Sequence, residues 1–235
     1  MDRVQDFTDT LRQYFSAGAL QSVPKNTPIV TQNKLQKSVY FVRSGYVRVY
    51  STNNRGEQYT HILYGAGEIF PLTWLTKQQL IATVYESLTD TEVHSLPLDQ
   101  VNHDLINQNG LSLAFLRQSV EQYRIYAMRL DNLEYKYASE RLAYCLILLA
   151  NRFGERSGEA VTIVPPMTHQ MLATSLNLSR ESVSREMEKL LRHELVRYNA
   201  ARQIILTNMQ ELANQLHVPL HQGLSSEDIN TVVNL

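Results

Sequence analysis

Between residues 29 and 96 the apolar positions fall in short runs separated by turn residues. The runs 38–42 (SVYFV), 46–50 (YVRVY), 59–63 (YTHIL), 81–87 and 92–96 read as strands, since β-branched and aromatic residues gather in them. Ser44-Gly45, residues 53–56 (NNRG), Gly65-Ala66-Gly67 and Thr89-Asp90 supply the breaks. In YVRVY, Val47 and Val49 share one face, and the NNRG link before Gln58 is a hairpin signal. Many short strands at this spacing predict an antiparallel sandwich or small barrel of the jelly-roll kind.

On either side the period turns helical. Phe7, Leu11, Phe15 and Leu20 make an amphipathic face over residues 1–20, ended by the segment between Pro24 and Pro28. After Pro97, residues 98–107 predict a short helix and Asn109-Gly110 a break. A long helix over 111–138 follows. Its positions Leu116, Val120, Tyr123, Ala127 and Leu130 alternate spacings of four and three, the seam of a coiled coil, until Glu134 interrupts it. So long a stripe predicts a dimer interface; packing on the chain's own sheet is the alternative. A helix starting at Ser139 would carry Leu142, Leu146 and Leu149 inward, residues 153–158 (FGERSG) read as a loop, and 160–164 form a strand stopped by Pro165-Pro166.

Residues 167–191 then read as two short helices around a tight turn. Thr168 is the N-cap of the first, Asn177 the turn residue, and Ser179 the N-cap of the second. Val183, Met187, Leu190 and Leu191 form the inward stripe. Arg180, Glu181, Ser184, Arg185, Glu188 and Arg192 lie opposite. Those groups suit base edges: Arg is bidentate to guanine, Glu accepts from cytosine, and Ser goes to either. Small Ala173 would let the two helices cross closely. Residues 195–198 and 203–206 predict a hairpin wing around Asn199-Ala200-Ala201, followed by a last helix over 209–216. From Val218 onward the pattern carries no assignment. His169, Lys189 and the wing residues Arg197 and Arg202 are candidate contacts to DNA phosphates, which position without specifying.

Composition narrows this further. With 43% hydrophobic and 19% charged residues, the 235-residue chain is globular and long enough for two domains. Its longest apolar run, 142–150, is too short to span a bilayer, and the N-terminus has no signal-peptide pattern, so no membrane partner is expected. One cysteine, Cys145, leaves no disulfide framework and points to a reducing cytoplasm. The formal net charge of -1 does not advertise nucleic-acid binding, but residues 179–203 hold six Lys/Arg against four Glu. A modest local excess suits a dimer that makes specific contacts.

Four stretches resemble the Crp/Fnr family of bacterial transcription regulators: residues 40–49 (YFVRSGYVRV), 67–70 (GEIF), 140–143 (ERLA) and 178–185 (LSRESVSR). The resemblance spans nearly the whole chain and implies an α+β fold. Its parts are an N-terminal cyclic-nucleotide-binding-like jelly roll (1–110), a dimerisation helix (111–138), a winged helix-turn-helix (139–217) and a tail (218–235). It further implies a homodimer on a palindromic operator, with Arg180 and Arg185 on guanines and Glu181 on cytosine. Thr168 and Ser179 would be phosphate contacts as well as caps. RNA polymerase is an expected partner through surface loops such as 153–159.

At the effector site the chain departs from the cyclic-AMP-binding pattern. Glu68 matches, but the run 80–83 reads LIAT, with Ile81 where the phosphate-binding arginine belongs. A cyclic phosphate needs that charge-assisted partner, so the usual cyclic-nucleotide mode is not expected. The candidate pocket is Glu68, Phe70, Trp74, Ile81, Ala82 and Val84, suited to an apolar small-molecule effector or to none. An Fnr-like cluster lacks its cysteines, His61, His94 and His103 single out no haem ligand, and Arg48 or Arg55 would have to serve a 2-oxoglutarate-type site. The residues therefore name no cofactor. An enzyme on a cupin-like roll would need metal ligands or an acid–base pair that the strands do not offer. The second functional reading is a sensor or scaffold that does not bind DNA.

Overall fold

The computed structural model describes residues 4–32, 37–73 and 83–220. The chain divides into two compact units between Tyr126 and Ala127.

The first unit opens with helix α1 (Val4–Phe15), which seats Leu11 and Phe15 in the core. Among the described residues eight strands follow: β1 (Ala19–Val23), β2 (Pro28–Val30), β3 (Ser38–Ser44), β4 (Val47–Thr52), β5 (Gln58–Tyr64), β6 (Ile69–Phe70), β7 (Thr83–Ser87) and β8 (Thr91–Pro97). They form two four-stranded antiparallel sheets ordered β1-β8-β3-β6 and β2-β7-β4-β5, the strand order of a jelly roll. The two sheets share one hydrophobic core. Phe15, Phe41 and Phe115 stack at its α1 end, while the Phe70 ring lies 5.2–5.4 Å from those of Tyr40, Tyr64 and Tyr85. Val47 and Val49 both point inward as their shared face predicts. A bulge after Val49 then buries Tyr50 as well. Gly45 turns β3 into β4 at φ +84°, where a Cβ would come within 2.6 Å of the Asp90 carbonyl.

Helix α2 (Leu98–Asn107) spans the expected residues and buries Leu98 and Val101. Helix α3 (Asn109–Glu134) begins two residues before the expected start, so Asn109-Gly110 is its first turn and Gln108 the break. Its end differs too. Residues 135–137 interrupt the helix before α4 (Ala138–Phe153), with the Glu140 carboxylate accepting from Tyr137 N–H and Arg141 Nε donating to the Tyr135 carbonyl.

In the second unit α4 is buried almost all round, through Leu142, Ala143, Leu146, Ile147 and Leu149. A sheet ordered β11-β12-β10-β9 joins β9 (Gly154–Ser157), β10 (Ala160–Ile163), β11 (Val196–Tyr198) and β12 (Ile204–Leu206). Helices α5 (His169–Leu176), α6 (Arg180–Arg192) and α7 (Met209–Gln215) complete it. Two expectations are corrected. Leu20 lies on β1 and is exposed, because a turn over 16–18 ends α1 at Phe15. The expected loop FGERSG contains β9, whose side chains are mostly exposed and which is held by pairing with β10.

Candidate nucleic-acid interface

Helices α5 and α6 form a helix-turn-helix by local chemistry at each end. Thr168 Oγ1 accepts from the Met171 N–H at 3.1 Å, and Ser179 Oγ accepts from the Ser182 N–H at 3.1 Å. Each cap satisfies an amide that the first helical turn leaves unpaired. Between them Asn177 adopts the left-handed conformation (φ 53°, ψ 46°), and both it and Leu178 donate to the Ala173 carbonyl. Ala173 is fully buried at the crossing. Val183, Met187 and Leu190 dock α6 on the core, whereas Leu191 is only half-buried. Arg180, Glu181 and Arg185 are left exposed on the free face.

The other candidates occupy distinct places. Ser184 is half-buried, and its hydroxyl lies 2.8 Å from His169 Nδ1. The second ring nitrogen, Nε2, lies 3.0 Å from the Tyr198 hydroxyl on β11. Burial lowers the His169 pKa, the Arg180 charge lowers it further, and Glu188 opposes both. The ring therefore faces the ridge of α6 formed by residues 180, 184 and 188. Lys189 turns to Glu186, its Nζ 2.9 Å from both carboxylate oxygens; Glu186 is itself buried, with Arg185 Nε at 3.5 Å. Arg197 and Arg202 are exposed on the wing. The wing tip is held by Asn199, whose side-chain oxygen accepts from the Gln203 N–H, while Gln203 Nε2 donates to the Val164 carbonyl at 2.9 Å. Tyr198 was not among the sequence candidates. A lone tyrosine on a three-residue strand carries no signal of the histidine opposite it.

Along α3 two stripes run on different faces. Leu116, Val120, Tyr123 and Leu130 are 59–75% exposed, Leu113 is 43% exposed and Ala127 is half-buried. Leu111, Phe115 and Ile125 are buried on the roll, together with Gln122, while Gln118 on the same side is half-buried. Gln122 Nε2 donates to the Ile69 carbonyl at 2.9 Å, its Oε1 accepts from the Tyr64 hydroxyl at 3.1 Å, and Gln118 Oε1 accepts from the Ile69 N–H at 3.4 Å. Both main-chain polar groups of Ile69 in β6 are thus held by α3. Sequence reasoning missed these bonds, because two glutamines among polar helix residues look solvated.

At the candidate effector pocket, Glu68 accepts from the Gly65 N–H at 2.6 Å. Phe70 is fully buried in its aromatic stack and Val84 is half-buried on β7. Trp74, Ile81 and Ala82 lie outside the described residues. Arg48 is engaged by Glu86 at 3.0 Å and Gln58 at 3.1 Å and sits over the Tyr50 ring, while Arg55 is exposed in its turn. His61 lies 2.8 Å from the Ser51 hydroxyl. Among the described residues no group of three or more His, Cys, Asp or Glu could hold a metal ion, and no helix is long and apolar enough to cross a membrane.

A jelly roll followed by a long helix and a winged helix-turn-helix with an Arg/Glu-bearing second helix is the architecture of a DNA-binding transcription regulator. Comparison with known proteins agrees for both units. Residues 20–109 match the cyclic nucleotide-binding domain family, and residues 140–215 the Crp-like helix-turn-helix domain family. The global nitrogen regulator of Nostoc sp. strain PCC 7120 is 24% identical over 179 residues, 75% of this chain and 80% of that relative. The cyclic AMP receptor protein of Thermus thermophilus is 28% identical over 178 residues, 74% of this chain and 77% of the relative. Among solved structures, FixK2 from Bradyrhizobium japonicum superposes with a TM-score of 0.73 at 23% identity, covering 84% of this chain and 96% of that one. The chain belongs to the Crp/Fnr family of transcription regulators.

Proposed function

We propose that the protein acts in the cytoplasm as a homodimer on a two-fold-symmetric operator, each protomer placing α6 in a major groove. The observation that carries this reading is the exposure of Arg180, Glu181 and Arg185 on a helix whose other face is buried. Arg180 and Arg185 pair with guanines, Glu181 accepts from a cytosine amino group, and Ser184 meets a further base edge. Thr168, Ser179, Lys189, Arg197 and Arg202 are the candidates for phosphate contact, whereas His169 engages both ring nitrogens within the protein. The seam Leu116, Val120, Tyr123, Ala127 and Leu130 pairs the two copies and sets the recognition helices about 34 Å apart, one turn of DNA. We divide the chain into a sensor roll (1–110), a dimerisation helix (111–138), a DNA-binding domain (139–217) and a tail (218–235).

Regulation does not run through cyclic AMP. Ile81 replaces the phosphate-binding arginine, and the Glu68 carboxylate already holds the Gly65 amide. The effector is an apolar small molecule or absent, and RNA polymerase is the expected protein partner.

Selection of fragments from a random DNA pool by the purified protein tests the reading. A palindrome with half-site centres about ten base pairs apart is expected. Arg180→Ala and Arg185→Ala should each lower discrimination at one base pair by about 1–3 kcal/mol per half-site with the dimer intact. Unchanged selection by both variants would favour a scaffold that does not read DNA.

A further inference from the structure

His169 stands on the first residue of α5, just after the Thr168 cap, yet its ring joins two other elements. Nδ1 meets Ser184 of α6 at 2.8 Å and Nε2 meets Tyr198 of β11 at 3.0 Å. We propose that His169 is a positioning residue for sequence reading, which fixes the donor or acceptor character of Ser184 according to what Tyr198 does on the wing. The inference rests on the base-reading role proposed for α6.

A neutral imidazole has one N–H donor and one acceptor nitrogen, and a hydroxyl has one donor and two acceptor sites. If Nε2 carries the proton, it donates to the Tyr198 oxygen and leaves the Tyr198 O–H free. Nδ1 then accepts from the Ser184 O–H, so Ser184 presents only lone pairs outward. With the other tautomer each role reverses: Ser184 presents its O–H, and the Tyr198 proton is held by the ring. A phosphate oxygen only accepts. A wing tyrosine that donates to the DNA backbone therefore selects the first tautomer, and Ser184 becomes an acceptor. In the major groove the amino groups that can donate to it are N4 of cytosine and N6 of adenine. Without the ring, the half-buried Ser184 hydroxyl rotates and reads neither character.

The test uses the full-length protein and single-base variants of the operator recovered by selection. Ser184→Ala and His169→Ala should weaken discrimination at the same half-site position, by roughly three- to tenfold, the size of one hydrogen bond. The preferred base there should be cytosine or adenine. Tyr198→Phe should instead weaken all operators alike. The amide variants separate the two bonds, because an Asn amide reaches about as far as Nδ1 and a Gln amide about as far as Nε2. His169→Asn should restore discrimination at the Ser184 position while binding all operators as weakly as Tyr198→Phe. His169→Gln should do the reverse.

Thermal melts establish that each variant is folded; if His169→Ala is not, the Asn and Gln pair carries the comparison. Discrimination unmoved by His169→Ala, loss at a position other than that of Ser184→Ala, or identical behaviour of Asn and Gln would each overturn the positioning role. Failure of the wild type to enrich any sequence would sink the operator reading and this inference together. An enriched palindrome that ignores His169 sinks the inference alone.

Discussion

Single side chains in the second unit carry measurable consequences. Asn177 holds a left-handed conformation at the turn between α5 and α6. That conformation penalises a Cβ by about 1 kcal/mol, less for Asn, whose polar side chain bonds locally. Asn177→Ala should lower stability by about that amount and Asn177→Gly leave it nearly unchanged, as read by urea denaturation. His169 gives a pH prediction. Burial, then the Arg180 charge, hold its pKa below the ordinary value, so the unfolded chain binds the proton more readily. The associated stability is fully present above the unfolded pKa of about 6.5 and is lost as pH falls through the folded one. On acidification the melting temperature of wild type should therefore fall further than that of His169→Gln. Cys145, the only cysteine, is buried and its thiol is pushed up to about 11, against a small opposing pull from Arg129. A thiolate-directed reagent should label it in the native state only at the rate of unfolding.

At the scale of elements, α3 shows what a hydrophobic pattern can and cannot disclose. Its outward seam was legible because Leu116, Val120, Tyr123 and Leu130 repeat in fours and threes among polar neighbours. Its roll-facing stripe was not, because Gln118 and Gln122 occupy that side. The helix-turn-helix was legible down to its caps, since Thr168, Asn177 and Ser179 act on amides and carbonyls a few residues away. Long-range pairings were less so. β6 has two residues, and β9 buries almost nothing, so neither carries a period. Gln122 tests the hidden stripe. Gln122→Leu removes two buried hydrogen bonds, one donated to the Ile69 carbonyl and one accepted from the Tyr64 hydroxyl. Each is worth about 0.5–1.5 kcal/mol net, so stability should fall by about 1–3 kcal/mol in all. Denaturation of the full chain should show the loss.

For the whole molecule, charge distribution outweighs net charge. The chain is formally at -1, yet its wing exposes Arg197 and Arg202 beside the cationic face of α6. If both wing arginines meet phosphates, a dimer on DNA displaces counterions from two wings at once. Each contact contributes about 0.9 to the slope of log affinity against log salt. The double variant Arg197→Ala/Arg202→Ala should therefore flatten that slope by roughly three to four, and lower affinity evenly across operators of different sequence. A single bound protomer would lose only about half as much slope, under two. Equilibrium binding titrations over a salt series thus count wings as well as charges. A flattening near the smaller figure would argue against two wings on one operator, and an unchanged slope would remove Arg197 and Arg202 from the phosphate contacts altogether.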